Sequence, residues 1–205
     1  MGGFLESDLL RFARQRPAMV FGLLVIVINL VLALVGPAIA PFATQAPSGP
    51  ALVAPNPTHW FGTDASGMDV LSRVLAAPRI DLTIALVSTT IAFCLGVALG
   101  VVSGYFAQGR RAGRAASALI MRTAEVFQSF PVFVFALALV GFSGPSLQNV
   151  IVALAFLNIP FFLRLTRAAV LQVRSRTYVE AALCAGNSEL RAAFVHVMPN
   201  ALAPA

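Results

Sequence analysis

Residues 82–109, LTIALVSTTIAFCLGVALGVVSGYFAQG, run for 28 positions without a charge. About 20 apolar residues in a helix span the hydrocarbon of a bilayer, so this stretch can cross once. Residues 17–42 are likewise uncharged, and 126–163 stay so for 38 positions, room for parts of two crossings. Across all 205 residues 59% are hydrophobic and 11% charged, whereas a soluble domain carries about 25% charged residues. A typical soluble globule is excluded.

The charge balance needs its own reading. Fourteen arginines and no lysine stand against eight acids, giving +6. A basic chain can signal a nucleic-acid partner, but here the arginines gather at the ends of apolar runs, so no nucleic-acid partner is expected. Cys94 falls in an apolar run and Cys184 in a polar one, which suggests free thiols rather than a disulfide framework. Two cysteines and two histidines at scattered positions offer no metal-ligand cluster, and neither a metal nor another cofactor is expected.

The expected fold class is all-α, a polytopic transmembrane helical bundle. An N-terminal segment, 1–17, precedes a first crossing at 18–40. Ala38-Ile39-Ala40 has the small-x-small look of a cleavage site, but the apolar stretch is longer than a signal-peptide core and is read as an uncleaved span. The loop at 41–81 is rich in Pro and ends in a short interfacial helix, with Ser66-x-x-Asp69 as capping box, Asp69 and Arg73 four apart, and Pro78 as its stop. The rest, 82–205, holds crossings at about 83–105, 115–140 and 147–169.

Within these spans, Gly96, Gly100 and Gly104 recur every four residues and predict a close helix–helix seam. Arg122 and Glu125 share a face of the third crossing, and Pro131 kinks it. A charge at mid-membrane costs about 2.5–3.5 kcal/mol on insertion scales, so Arg122 is expected to pair with Glu125 or to lie near the cytoplasmic end. Asn158 and Pro160 interrupt the fourth crossing. Polar and broken positions at that depth face protein or a water-filled path, which makes these two the candidate pathway lining; the alternative reading is a plain proline kink satisfied by a neighbouring helix.

Arginine placement sets the orientation. Arg11, Arg14 and Arg16 precede the first span, Arg110, Arg111 and Arg114 lie between the second and third, and Arg164, Arg167, Arg174, Arg176 and Arg191 lie at or beyond the end of the fourth. The positive-inside rule then puts the N-terminus and the tail in the cytoplasm.

The segment 174–200 reads as two short helices. Thr177-x-x-Glu180 has the form of a capping box, Gly186 is placed to end the first helix, Asn187 or Ser188 can cap the second, and Pro199 follows it. Such a small-residue helix suits the groove of a soluble partner. Glu180-Ala181-Ala182, Gly186 and Val197-Met198-Pro199-Asn200 resemble the EAA loop of ATP-binding-cassette importer permeases. His59-Trp-Phe-Gly62-Thr63-Asp64, the Asp69 to Arg73 stretch, Phe130-Pro131 and Arg164-Leu-Thr-Arg167 are similar to the dipeptide/oligopeptide/nickel branch of that family. Met68, Ala77-Pro78, Ser117 and Glu125 depart from the family pattern, Ser117 and Glu125 at positions where aspartate is usual.

The resemblance implies a multi-pass permease subunit of the cell inner membrane, importing peptides or related small solutes such as nickel chelates. Its implied partners are a second permease subunit, cytoplasmic ATP-binding subunits and an extracytoplasmic solute-binding protein. Glu180, Ala181, Ala182 and Gly186 would couple to the ATPase, and Gly62, Thr63, Asp64, Asp69 and Arg73 would form an extracytoplasmic motif. The subunit is not itself expected to be an enzyme, since no glycine-rich phosphate loop ending in Gly-Lys-Ser/Thr is present. Six crossings are usual in the family, so a C-terminally truncated chain is expected, and the alternative is a non-transporting assembly subunit or remnant. An intramembrane hydrolase using Ser88 or Ser103 is disfavoured, because His59 and His196 fall on opposite sides of the membrane in this topology.

Overall fold

The computed structural model describes residues 16–109, 111–129, 131–144 and 146–202. Arg11 and Arg14 of the N-terminal segment, Arg110 of the basic turn and Phe130 of the family-like pair lie outside them. Outside the loop at 40–69 and short connections, the described residues are helical, with an isolated antiparallel bridge between Thr63 and Asp69. The chain is an all-α, multi-pass membrane protein, and among the described residues three helices are long and apolar enough to cross a bilayer. It divides into two units, one up to Thr83 and one from Ile84, taken separately below.

In the first unit, α1 (Pro17–Ile39) begins with Pro at its first turn, where the missing N–H costs nothing. Only Gly36 of α1 is buried, and its Cα lies directly on the backbone carbonyl of Leu75. The expected short helix ending at Pro78 is not separate: α2 (Val70–Tyr105) runs straight through that proline. Continuing the helix sacrifices one backbone hydrogen bond. Breaking it there would strand several N–H and C=O groups on each side, the greater loss in an apolar setting. The start also moves from Ser66 to Asp69, whose carboxylate accepts from the Ser72 N–H at 2.8 Å.

In the second unit, a 3₁₀ turn (Phe106–Gln108) follows α2, then α3 (Arg111–Ser129), α4 (Val132–Ser143) and α5 (Leu147–Arg174). The expected third crossing is therefore two helices rather than one kinked helix. Pro131 stands between them, because the residue before a proline is steered out of the helical region and the proline itself donates nothing. The turn after α4 comes at Gly144, with φ +83°.

The glycine face of α2 packs on α5. A Cβ at Gly96 would come within 2.6 Å of Phe162 Cβ, one at Gly100 within 2.6 Å of Thr166 Cβ, and one at Gly104 within 2.8 Å of Val170 Cγ1. The contacts advance together along both helices, so α2 and α5 run parallel. Meanwhile α3 runs the other way: Ser117 meets Arg167, and Phe127 meets Phe156 at 4.5 Å between ring centroids. Parallel helices need a return path between them, and α3 with α4 supplies it.

Beyond α5 come α6 (Thr177–Cys184) and α7, which is α-helical at Glu189–Arg191, π-helical at Ala192–Val197 and α-helical again at Met198–Leu202. Pro199 was expected after this helix and lies inside it. The wide π turn just ahead of the proline absorbs the missing donor, a usual accommodation for a proline in a helix.

Candidate functional site

The described part of 174–200 is built on one apolar cluster. Val97, Val101 and Tyr105 of α2 and Val170 of α5 form its floor, and Val179, Ala192, Ala193, Val197 and Ala201 close over it. Val179 alone of α6 is buried. The Arg174 guanidinium covers the Tyr105 ring at 4.8 Å. Thus α6 and α7 are fastened to the ends of both seam helices.

Local chemistry shapes α6 differently at its two ends. The Thr177 capping box does not form: Arg176 is the N-cap, without a side-chain hydrogen bond, and Thr177 is already helical. A cap is worth about 0.5–2 kcal/mol, whereas burying a valine is worth about 1.5–3 kcal/mol, so the phase that buries Val179 prevails. At the other end the expected stop is present. Gly186 has φ +87°, its N–H donates to the Leu183 carbonyl at 3.0 Å, and the Asn187 N–H donates to Ala182 at 3.2 Å. This is the two-bond left-handed termination that favours glycine. Ser188 then caps α7, its Oγ accepting from the Arg191 N–H at 3.3 Å.

The outward face of α6 is exposed, with Glu180 and Ala181 between the larger Tyr178 and Leu183. Tyr178, Glu180, Ala181 and Leu183 are exposed, Ala182 is half-buried, and Glu180 makes no ion pair among the described residues. Arg176 and Arg191 lie exposed at its margins. Sequence reasoning found these positions but missed the cluster beneath them, whose signal is the valine and alanine spacing of α7.

The motif residues Gly62, Thr63, Asp64, Asp69 and Arg73 come together in the first unit, with Thr63 and Asp69 buried and the Asp64–Arg73 pair nearer the surface. Thr63 Oγ1 donates to the Pro50 carbonyl at 2.6 Å and accepts from the Val53 N–H at 2.9 Å. Gly62, at φ +72°, lies against the Val53 carbonyl where any Cβ would collide. Asp64 accepts from the N–H groups of Ser66 (2.8 Å) and Met68 (3.0 Å) and pairs with Arg73. The Met68 amide leads in holding its pKa below the ordinary value, ahead of opposing burial and of Ser66 and Arg73. The Asp69–Arg73 pair expected from spacing is replaced by this one.

Asp69 serves His59 instead. His59 Nδ1 lies 2.9 Å from Asp69 Oδ1, and Asp69 Oδ2 accepts from both the N–H and the Oγ–H of Ser72. Ser72 Oγ in turn accepts from the Phe42 N–H at 3.0 Å, and the Phe42 ring lies 4.7 Å from the His59 ring. Burial pushes the Asp69 pKa up, but the two Ser72 bonds and His59 outweigh it and hold it below the ordinary value. These contacts tie three separate stretches of the loop together, which is scaffolding chemistry.

The pathway candidates separate. Pro160 is buried and lines an apolar cavity of about 360 Å³ with Leu119, Phe127 and Phe156. Asn158 is exposed and spends its Nδ2 on the Leu154 carbonyl of its own helix. Elsewhere, Ser117 Oγ donates to the Ser103 carbonyl at 2.8 Å and accepts from Arg167 Nη1 at 3.0 Å.

Residues 96–205, which contain the seam, α3 to α7 and the exposed α6 face, match the family described as binding-protein-dependent transport system inner membrane component. The chain belongs to this family. Among its relatives, the dipeptide transport system permease protein DppC of Alkalihalophilus pseudofirmus is 35% identical over 187 residues, covering 90% of this chain and 59% of the relative. DppC of Haemophilus influenzae is 32% identical over 200 residues, covering 94% and 65%. The probable D,D-dipeptide transport system permease protein DdpC of Escherichia coli is 36% identical over 202 residues, covering 98% and 66%. The chain thus spans about three-fifths to two-thirds of the length of these family members.

Proposed function

We propose that this chain acts as a permease subunit of an importer that carries peptides or related small solutes, driven by ATP hydrolysis in partner subunits. The observation that carries the reading is α6, a small-residue helix exposed on one face and fastened by Val179 to the ends of both seam helices. A helix held this way transmits a push from a soluble partner to the spans rather than flexing away from it. In this reading Glu180, Ala181 and Ala182 enter a groove on a cytoplasmic ATPase, and Gly186 fixes the angle at which α6 presents them.

The remaining assignments follow from the same reading. The N-terminus is cytoplasmic, crossings at about 18–40, 83–105, 115–140 and 147–169 bring the 174–200 segment back to the cytoplasm, and the 41–81 loop is extracytoplasmic. A second permease completes the pathway, with the exposed Asn158 rather than the buried Pro160 as its lining candidate, and a solute-binding protein delivers cargo to the outer side. Dipeptide permeases among the relatives support peptides as the solute class.

The test is Glu180→Ala and Gly186→Ala in the transporter assembled with its ATPase and binding protein. Gly186 has open space around it but a left-handed φ, so alanine strains the turn by about 1 kcal/mol without a clash. Uptake is expected to fall while ATP hydrolysis continues. Uptake that stays tied to hydrolysis in both variants would remove α6 from the coupling path.

A further inference from the structure

We propose that the polar stripe of α3, together with Arg164 of α5, lines a water-filled path, and that Arg164 binds the carboxylate of a passing peptide. The proposal rests on the transport reading for its substrate but not for the placement of the stripe.

Placement comes first. Because α3 runs antiparallel to the parallel pair α2 and α5 and packs on both, it lies at the depth of two helices apolar enough to cross the bilayer. Its own sequence is divided lengthwise. Arg111, Arg114, Arg122, Glu125 and Ser129 recur at spacings of three, four or twice four, on one face. Ile120, Thr123, Ala124 and Phe127 face the other way, into the apolar cavity. Arg122 Nη1 and Glu125 Oε2 pair at 3.0 Å with their side chains 82% and 51% exposed. Charges at this depth face water or protein, not lipid.

Charge comes second. Arg164 Nη2 donates to Gln128 Oε1, which brings the α5 guanidinium across to the α3 stripe. Glu125 is matched by Arg122, so the group of Arg122, Glu125, Gln128 and Arg164 keeps one positive charge, on the arginine whose partner is a neutral amide. A guanidinium presents a planar fork that fits a carboxylate with two parallel hydrogen bonds. Every unmodified peptide ends in a carboxylate. A single excess charge in an aqueous groove can attract that group and still release it.

The experiment uses the assembled transporter in membrane vesicles, with Cys94→Ala and Cys184→Ser removing the native thiols. Glu125→Cys and Ser129→Cys are exposed to a charged, membrane-impermeant thiol reagent beside Ile120→Cys and Thr123→Cys, which face the apolar cavity. Labelling of 125 and 129 but not of 120 and 123 is expected. Protection of 125 and 129 would overturn the aqueous path and indicate that the second subunit or lipid covers the stripe. Uptake of a dipeptide and of its C-terminal amide is then compared between the wild type and Arg164→Gln. One binding protein serves both, so its preference cancels in the ratio.

Half-maximal uptake is expected to need about tenfold more free dipeptide in Arg164→Gln, with little change for the amide. Equal effects on both peptides would overturn the carboxylate role. Should Arg164→Gln not assemble, Arg164→Lys supplies the same comparison, with a smaller loss because charge remains and the fork does not. Absence of uptake by the wild type would defeat the transport reading and the carboxylate role with it, and the labelling pattern would still decide the stripe.

Discussion

Gly100 and Thr166 stand so close that a methyl group on the glycine would come within 2.6 Å of the threonine Cβ and 2.8 Å of the Leu163 carbonyl oxygen. The backbone of α2 therefore meets α5 with no side chain of its own between them. Dispersion contact over such a surface is what holds helices together where water is absent.

Enlarging that position separates the helices. Gly100→Leu is expected to destabilise the second unit by about 1–3 kcal/mol or more, the usual range for overpacking, and to loosen α6 and α7, which rest on the same pair. Thermal unfolding in detergent with a thiol dye on Cys184 reads both effects. A melting point unchanged from the wild type would contradict the seam.

Ser117 sits at a three-way junction, donating to Ser103 and accepting from Arg167 in a buried setting. Ser117→Ala leaves a carbonyl and a guanidinium each short of a partner, an expected loss of about 1–3 kcal/mol. Ser117→Asp keeps an acceptor for Arg167 and adds an opposite charge, so it is expected to cost less than alanine. Equal losses for the two would mean that Arg167 does not depend on this position.

The first unit is expected to weaken in acid. Asp64 and Asp69 have folded pKa values below the ordinary 3.8, so the unfolded loop takes up protons first as pH falls. Their contribution is complete above the ordinary value and is lost as pH drops through the depressed folded ones. Trp60, the one tryptophan in the chain, lies in this loop with its Nε1–H on the Pro57 carbonyl. Its emission is expected to stay constant from neutral pH to about pH 4 and to shift below. In Asp69→Asn the acid shift should shrink, and an identical profile would show that the carboxylate plays no part.

The long apolar helices near 18–40, 83–105 and 147–169 and the glycine seam are legible because a bilayer imposes length and apolarity directly on sequence, whereas the stretch 115–140 divides into two helices. Gly186 was legible for a similar reason: a left-handed stop leaves a glycine behind. Local signals failed where distant packing opposed them. Thr177 has the form of a cap, but burying Val179 fixed the helix phase. Pro78 and Pro199 are helix breakers by composition, yet each costs a single donor in a helix whose neighbours are otherwise satisfied. Spacing paired Asp69 with Arg73, but it could not reveal that the fold would bring His59 and Ser72 to Asp69. The α3 stripe fell between two templates, too charged for a span and too regular for a loop, and only the parallel course of α2 and α5 places it.

That parallel course also sets a clock on biosynthesis. Gly100 and Thr166 are 66 residues apart, so at ribosomal speeds of about 5–20 residues per second several seconds pass between their arrivals. During that interval the nascent α2 has its glycine groove open and no native neighbour to fill it. Until α5 arrives, the groove lacks the helix that packs on it in the folded chain.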